Sequence, residues 1–505
     1  MRSKVIVPSS VPRMATVFLG SGRQTGGKAH ADRQTGTVSG NSASDPEPFE
    51  GSSAPASGSA GGPRDGGPSG GGHRVSLVHH RDFVRLWIGD TASQLGFALG
   101  SLAIPYLAVT ALGATEFQMG LLGTLESIGF LIIGLPAGAI VDRRRKRTVM
   151  MTADLGRALL LLSLPIAWWS GLLTFGQVLL VATAVGILTV FFDVSYQSYL
   201  PFLVEREQLV EGNAKLQASQ SVSQAAGPAV GGLLIKAIGP ALVLTVNVAG
   251  YLASALALSR IRHRETLSVP DNRRRLGTEI NEGLSFVVRH PLLRRLVACT
   301  GIANLGSSIG GVLMVLYMVR DLQFSALLVG VVESAGAIGG LLGAVLATPL
   351  ARRLGEGPAI IVTTVAMLIL SFVNPLSSVL PPVPTLVVGG AALGAAIVAY
   401  NIATVSFRQR LCPPELLGRM NASVRFLVWG AIPIGSFLGG VLGTSIGVVP
   451  TLWVGAAVSS LAAIPVLFSP LWHMATLPDH DLPGHDRPGH DRPDHHDADP
   501  AIGAG

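Results

Sequence analysis

From about residue 84 onward, long apolar stretches alternate with short polar loops along the chain. Each stretch has about 20 residues, the length that an α-helix needs to cross roughly 30 Å of hydrocarbon. The pattern predicts twelve membrane spans, six on each side of a polar segment. We number them in chain order as spans 1 to 12: 84–110, 117–141, 148–169, 174–199, 213–236, 240–260, 292–318, 325–350, 358–378, 383–407, 419–445 and 450–472.

The same pattern divides the chain into five segments. A tail at 1–80 and a second tail at 476–505 lack periodicity and are predicted to be disordered. Between them, a first six-helix half at 81–260 and a second at 292–475 flank a linker at 261–291. The end of the linker has apolar residues at helical spacing, which predicts an amphipathic helix on the cytoplasmic surface. A plain solvated linker is the alternative.

Composition supports an all-α membrane protein and excludes a large soluble enzyme. The chain is 49% hydrophobic and only 13% charged, whereas soluble domains carry roughly 25% charged residues. The net charge of +7 does not indicate a nucleic-acid partner, because the basic residues cluster in short loops such as 142–147, 260–295 and 352–353. Loops on the other side hold little besides Lys236 and Arg320. This bias predicts a cell-membrane protein with both termini in the cytoplasm.

Two motifs in the tails resemble ligand sites without the context that such sites need. Gly22–Lys28 fits the phosphate-loop spacing, but Ala29 replaces the magnesium-binding hydroxyl residue and no helical pattern follows. The His-rich repeat at 484–496 is interrupted by Pro and Gly, so disorder is favoured over metal binding. We therefore expect no metal and no cofactor.

The two halves resemble each other in sequence. EGNAKLQ at 211–217 matches RMNASVR at 419–425, and GPAVGG at 227–232 corresponds to PIGSFLGG at 433–440. LLGTLESIG in span 2 matches LVGVVESAG in span 8, which places Glu126 opposite Glu333. Repeated halves of this kind are typical of secondary transporters, which bind their substrate between the repeats.

Three local motifs extend this interpretation to a family. They are GLPAGAIVDRRRKR at 134–147, SQAAGPAVGG at 223–232 and FFDVSYQSYLPFLV at 191–204. With them, residues 82–472 resemble the major facilitator superfamily, and in particular the branch that holds the enterobactin exporter and the macrolide efflux pumps. The sequence departs from the family pattern at two places. Residues 223–232 resemble the antiporter motif GxxxGPxxGG, but Ser223 stands at its first glycine position. In the second half, the loop 350–355 corresponds to the loop after span 2 but has no acidic residue in the place of Asp142.

The resemblance implies a conformational gate after span 2. Gly134 and Gly138 are expected to let span 2 slide against span 11, with Asp142 and Arg143 near the start of span 11. This contact would lock the outward-facing state, and Asp193 is expected to pair with an arginine of the same loop. The alternative is that the basic loop only sets membrane orientation.

The resemblance also implies a role for the antiporter-like motif in span 5. Pro228 removes one backbone hydrogen bond and bends the helix, while small residues allow close packing. The bend would seal a leak path or act as a hinge; a generic packing kink is the alternative. The motif residues are Gly227, Pro228, Gly231 and Gly232.

Charged residues inside the spans are functional candidates, because each costs about 2.5–3.5 kcal/mol at a helix centre. Glu126, Glu333 and Asp90 are candidates for carrying a proton or binding substrate; a neutral acid hydrogen-bonded to the bundle is the alternative. Arg425 is expected either to meet an anionic group or to extend to the cytoplasmic surface.

Other polar residues in the spans have less specific interpretations. Asp154 and Arg157 are spaced i,i+3 and predict a structural ion pair on span 3. Six further residues are candidates for lining a cavity: Gln94, Tyr106, Asn304, Tyr400, Asn401 and Trp429.

Together these features favour a proton-coupled exporter that works by alternating access. We expect a monomer in the lipid bilayer that uses the proton gradient, needs no cofactor and moves a small amphipathic molecule such as a siderophore, a macrolide or another drug. An importer or uniporter of the same fold is the nearest alternative. A membrane-embedded enzyme or a non-transporting sensor is disfavoured by the motifs and the duplicated halves.

Overall fold

The computed structural model describes residues 77–205, 208–262, 265, 276–413 and 416–474. The phosphate-loop-like motif, the His-rich repeat and nearly all of both tails lie outside these residues, as does most of 263–275. The predictions made for them above therefore stay predictions.

All secondary structure in the described residues is helical, and a helix covers each of the twelve predicted spans. Several spans are divided by a short break. Their bounds in chain order are Arg81–Gly100 with Ala103–Ala111, Glu116–Ile132 with Gly134–Asp142, Lys146–Trp169, Phe175–Leu203, Leu209–Ile238, Pro240–Ser259, Pro291–Gly311 with Met314–Leu316 and the π-helical Tyr317–Asp321, Ala326–Leu354, Glu356–Leu370 with Val373–Leu376, Pro382–Leu411, Leu417–Trp429 with Ala431–Ile446, and Val448–Leu461 with Ile464–Leu467.

Length and hydropathy support membrane insertion of this helical array. Within the described residues, 10 helices are long and apolar enough to cross a membrane. The other two predicted spans, span 2 and span 5, are helical but lie outside this set. Span 2 is divided at Ile133, and span 5 begins with the polar run 211–217. The chain is thus an all-α membrane protein.

The described residues begin at Leu77, a few residues before the expected tail boundary at residue 80. Leu77–His79 form a 3-10 turn, and the side chain of Leu77 is fully buried beside Phe83. The backbone N–H of Leu77 donates to Glu211 at 3.3 Å. The turn therefore belongs to the core of the first half.

The linker helix, Leu276–Arg289, packs on the second half. Val287 is buried in a cluster with Met420 and Val424 of span 11, and Glu282 forms an ion pair with Arg419 at the start of that span. The apolar face that the sequence predicts is thus used at least partly for packing against span 11.

Glycine contacts give the two halves equivalent helix packing. Gly227 and Gly231 of span 5 lie against the backbone of span 1, and Gly435 and Gly439 of span 11 lie against span 7 in the same way. Small residues permit such close approach between membrane helices. The matched motifs of the sequence therefore occupy matched positions in the fold.

Two further glycine contacts join one half to the other. A Cβ added to Gly120 of span 2 would lie 2.3 Å from Cα of Gly440 in span 11. A Cβ added to Gly232 of span 5 would lie 2.3 Å from the carbonyl oxygen of Ala326 in span 8. We call these two contacts the seams, and both are backbone-to-backbone.

Both seams lie near the same end of the bundle. This charge-poor end is formed by the loops 112–115, 170–174, 322–325 and 377–381. The opposite, arginine-rich end contains 143–147, 260–262, 352–353 and 408–410.

An ion pair adds a third connection at the charge-poor end. Arg320, in the π-helical turn that ends span 7, contacts Glu116 at the start of span 2 with an N–O distance of 3.0 Å. A second guanidinium nitrogen of Arg320 donates to the carbonyl oxygen of Ala114 at 2.7 Å. The halves are therefore closed against each other at this end.

The seams predict which glycines tolerate a methyl group. Gly120→Ala is expected to lower the midpoint of thermal unfolding in detergent, because its Cβ meets backbone atoms that cannot rotate away and overpacking costs about 1–3 kcal/mol. Gly134→Ala in the same span is the control, since a Cβ there meets nothing within 4 Å. Equal midpoints for the two variants would contradict the assigned contact.

Candidate functional site

A cavity of about 290 Å³ lies between the halves toward the arginine-rich end. Spans 2 and 4 of the first half and span 11 of the second half form its wall. We call it the central cavity. Its lining residues are Phe130, Gly134, Gly138, Val190, Asp193, Val194, Gln197, Ser198, Gly418, Asn421, Ala422, Arg425, Phe426 and Trp429.

Arg425 belongs to the central cavity. Its guanidinium donates to the Gln197 side chain across the cavity at 3.2 Å. Its central carbon lies 4.7 Å from the ring centroid of Trp429, one helical turn away. This geometry favours the predicted cavity role over extension to the membrane surface, and a cation over an indole ring contributes about 0.5–2 kcal/mol.

An aromatic pair crosses between the halves beside this arginine. The rings of Phe130 in span 2 and Trp429 in span 11 meet edge to face with centroids 4.8 Å apart. The central cavity therefore combines aromatic surface with a few polar groups, the composition expected of a small-molecule site.

Asp193 has other partners than the sequence suggested. Its expected pairing with an arginine of 143–147 is wrong for this conformation: the carboxyl lies in the electrostatic range of Arg157 in its own half and Arg425 in the other half. The reason is its position on span 4, which turns Asp193 into the bundle and toward the central cavity.

The predicted pair of Asp154 and Arg157 is present and buried. The two side chains contact each other directly, with Arg157 only 3% exposed and Asp154 fully buried. The guanidinium carbon of Arg157 lies 4.4 Å from the ring centroid of Phe192 and 4.3 Å from that of Tyr251. Two aromatic faces and one carboxylate thus replace the water that a buried arginine loses.

Asp90 lies close to this pair. The residue is 2% exposed, its side chain is beside Gln94 and Tyr196, and one of its carboxyl oxygens has no hydrogen-bond partner among the described residues. Asp154 also has one carboxyl oxygen without a partner there. We call Asp90, Asp154, Arg157 and Asp193 the first-half charge cluster.

The cluster contains three carboxyl groups and one guanidinium in the interior of the first half. Sequence analysis found each residue but not their convergence, because they come from spans 1, 3 and 4. It also missed Tyr196 and Tyr251, for which the sequence carried no signal beyond their place in apolar spans.

Glu126 and Glu333 occupy corresponding positions in the two halves. Three residues before each, Gly123 lies against spans 7 and 11, whereas Gly330 lies against span 5. Both glutamates are exposed, and neither lines the central cavity. Neither carboxyl forms a hydrogen bond or an ion pair with the part of the chain that the structure describes.

The antiporter-like motif forms one of the two seams. A Cβ added to Gly330 of span 8 would lie 2.1 Å from the carbonyl oxygen of Pro228. One residue later, the backbone N–H of Ala229 donates to the Ser334 hydroxyl at 2.9 Å. Span 5 and span 8 are therefore joined by both close packing and a hydrogen bond.

The glycines of the predicted gate after span 2 line the central cavity opposite span 11. A Cβ added to Gly134 or Gly138 would meet nothing within 4 Å. The role of these glycines in a sliding contact that locks the outward-facing state stays a prediction. Arg143 is exposed, and the side chain of Asp142 lies outside the described residues.

The remaining polar candidates divide among four places. Gln94 accompanies Asp90, and Trp429 belongs to the central cavity. Tyr106 packs against the main apolar core and lines neither described cavity. Asn304, Tyr400 and Asn401 line a separate cavity inside the second half.

Comparison with known proteins matches this architecture to a family. Residues 75–485 fit the model of the transmembrane secretion effector family of the major facilitator superfamily. The chain belongs to this family. It is therefore a transporter rather than an enzyme, and a multi-pass membrane protein.

Curated relatives cover most of the same region. The chain is 31% identical over 401 residues to the multidrug efflux pump Tap of Mycolicibacterium fortuitum, covering 74% of this chain and 92% of that protein. It is 23% identical to macrolide efflux protein A of Streptococcus pyogenes, covering 72% and 90% of the two chains.

A solved structure supports the fold alone. A bacterial homologue of the iron transporter ferroportin in its inward-facing state aligns with a TM-score of 0.64 at 16% identity, covering 78% of this chain and 98% of that chain.

The buried ion pair predicts strongly non-additive effects on stability. Arg157→Ala is expected to reduce the free energy of unfolding by about 3–5 kcal/mol, because it leaves the Asp154 carboxylate buried without its cation. The double variant Asp154→Ala/Arg157→Ala is expected to be more stable than Arg157→Ala alone. Equilibrium unfolding in detergent measures both, and additive losses would contradict the direct pairing.

Proposed function

We propose that the protein exports amphipathic small molecules across the cell membrane by alternating access coupled to protons. The observation that carries this proposal is a central cavity between the two halves toward the arginine-rich end, in a bundle whose other end is held together by the seams and an ion pair. If the arginine-rich end is cytoplasmic, as the positive-inside rule favours, this conformation faces inward and both termini lie in the cytoplasm.

The substrate class follows from the lining of the central cavity. Phe130 and Trp429 offer apolar aromatic surface, while Arg425, Asp193 and Gln197 offer charge and hydrogen bonds. Molecules with an apolar body and one polar or charged group fit this combination. The names of the relatives, a multidrug efflux pump and a macrolide efflux protein, support drug export.

Coupling to protons requires an acid that changes charge during the cycle. Glu126 and Glu333 lie within membrane spans without a counterion among the described residues, and a charge in that position is expensive. In the proposed cycle, one of them accepts a proton from outside as substrate leaves and gives it to the cytoplasm after the halves rock. Asp90 is a further candidate, and no cofactor takes part; the unit is a monomer.

The cycle also requires the closed end to open. Rocking would separate Glu116 from Arg320 and bring Gly134 and Gly138 against span 11. In that outward-facing state Arg425 and Asp193 would approach each other as the central cavity closes toward the cytoplasm.

Glu126→Gln is expected to reduce proton-driven uptake of a macrolide into inverted vesicles at least about tenfold, because an amide cannot bind and release the proton. The pH dependence of uptake is expected to flatten as well. Glu356→Gln is the matched control, since that glutamate lies at the arginine-rich surface and pairs with Arg410. Unchanged uptake with unchanged pH dependence would remove Glu126 from the coupling step.

The direction of transport has its own readout. Intact cells that express the protein are expected to accumulate less macrolide than cells without it, and dissipating the proton gradient should abolish the difference. Higher accumulation would favour an importer of the same fold.

The ion pair at the charge-poor end predicts rescue by charge exchange. Glu116→Arg is expected to slow transport several-fold, because two cations then face each other where the halves close. The exchange Glu116→Arg/Arg320→Glu should restore part of the rate, although the bond from Arg320 to Ala114 is lost. A double variant no faster than Glu116→Arg would contradict a direct role of this pair in closure.

A further inference from the structure

A second cavity of about 140 Å³ lies inside the second half, between spans 7, 9, 10 and 12. Its volume is close to the roughly 150 Å³ that accommodates a benzene ring in a protein interior. Asn304 in its wall donates to the carbonyl oxygen of Val428 in span 11 at 2.9 Å, next to Trp429 of the central cavity. We call it the side cavity.

Uncharged hydrogen-bonding groups line the side cavity. Several hydroxyls donate to carbonyl oxygens of their own helices: Thr300 to Leu296 at 2.9 Å, Ser307 to Asn304 at 3.1 Å and Ser371 to Leu368 at 2.7 Å. Their oxygen lone pairs therefore remain available as acceptors.

Two amide side chains complete the lining. Asn374 and Asn401 both border the side cavity, and neither side-chain amide forms a hydrogen bond within the described residues. Asn401 is exposed and Asn374 is half-buried, so both amides can exchange a bound water for another partner. The amides are thus available to a molecule that enters the side cavity.

The first half uses the corresponding four helices differently. In the repeat, spans 1, 3, 4 and 6 correspond to spans 7, 9, 10 and 12. In the first half, Arg157 fills the interior between the rings of Phe192 and Tyr251 and pairs with Asp154. The second half has no charged residue in the lining of its cavity.

We propose that the side cavity is a substrate subsite for a neutral, hydroxylated, ring-sized group of the exported molecule, an inference that rests on the proposed function. A charged group would find no counterion in the lining and would pay the full cost of desolvation. A purely apolar ring would leave the amides unpaired. A ring with hydroxyl donors satisfies both the amides and the free lone pairs.

The chain supplies its own probe for this subsite. Of its 2 cysteines, Cys299 lines the side cavity, whereas Cys412 packs in the cluster beside the linker helix. In the full-length Cys412→Ala variant, Cys299 is the only thiol. Its rate of modification by methyl methanethiosulfonate in proteoliposomes then reports access to the side cavity.

A macrolide bearing a neutral sugar ring is expected to slow this modification at least about fivefold, whereas ethidium, a permanently charged aromatic cation without hydroxyls, should not. No protection by the macrolide at saturating concentration would overturn the proposal. Cys299 is only 1% exposed, so if the thiol does not react at all, the effect of Asn401→Leu on transport decides the proposal.

A second variant separates recognition from folding. Asn401→Leu keeps the side-chain size but removes the amide, and is expected to abolish protection by the macrolide and raise its KM for transport about tenfold without changing ethidium transport. Thr385→Val, in the same span but outside the side cavity, is the matched control. Equal effects on both substrates would overturn the subsite.

Protection requires binding only, so it is read independently of transport. Intact protection without proton-driven transport would overturn the proposed function and leave the subsite standing. Proton-driven transport without protection of Cys299 would overturn the subsite and leave the proposed function standing.

Discussion

Close contact between helix backbones is the interaction on which the rest of this structure depends. Helices surrounded by lipid gain nothing from burying apolar side chains against each other, so they associate through packing and hydrogen bonds. Here glycines provide that packing within each half and again at the two seams. Both seams lie toward the charge-poor end, and the central cavity lies toward the arginine-rich end.

The two halves share a fold but have diverged in their interior chemistry. The first half holds the charge cluster around Arg157, whose guanidinium is enclosed by Phe192 and Tyr251. The second half holds hydroxyls and amides around an open space. A duplicated bundle can thus keep ion chemistry in one copy and recognition of neutral groups in the other, without either interfering with the packing that both copies need.

Most of the fold could be predicted from the sequence, because span length and small-residue motifs are local signals. The Asp154–Arg157 ion pair could also be predicted, because it depends only on helical spacing. The convergence of Asp90, Asp154 and Asp193 had no local signal, since it depends on how three spans pack. The partner of Asp193 was mistaken for the same reason. An internal cavity could not be predicted either, because its volume depends on how side chains from several spans pack together.

The seams have a consequence for how the halves can move. Backbone-to-backbone contacts contain no side chain that can rotate out of the way, so each seam is either formed or broken. A helix of 20 residues is about 30 Å long, and turning it by about 10° about one end displaces the other end by about 5 Å. A displacement of that size exceeds van der Waals contact between Gly120 and Gly440, so the exporter proposed above would have to release this seam whole when its charge-poor end opens.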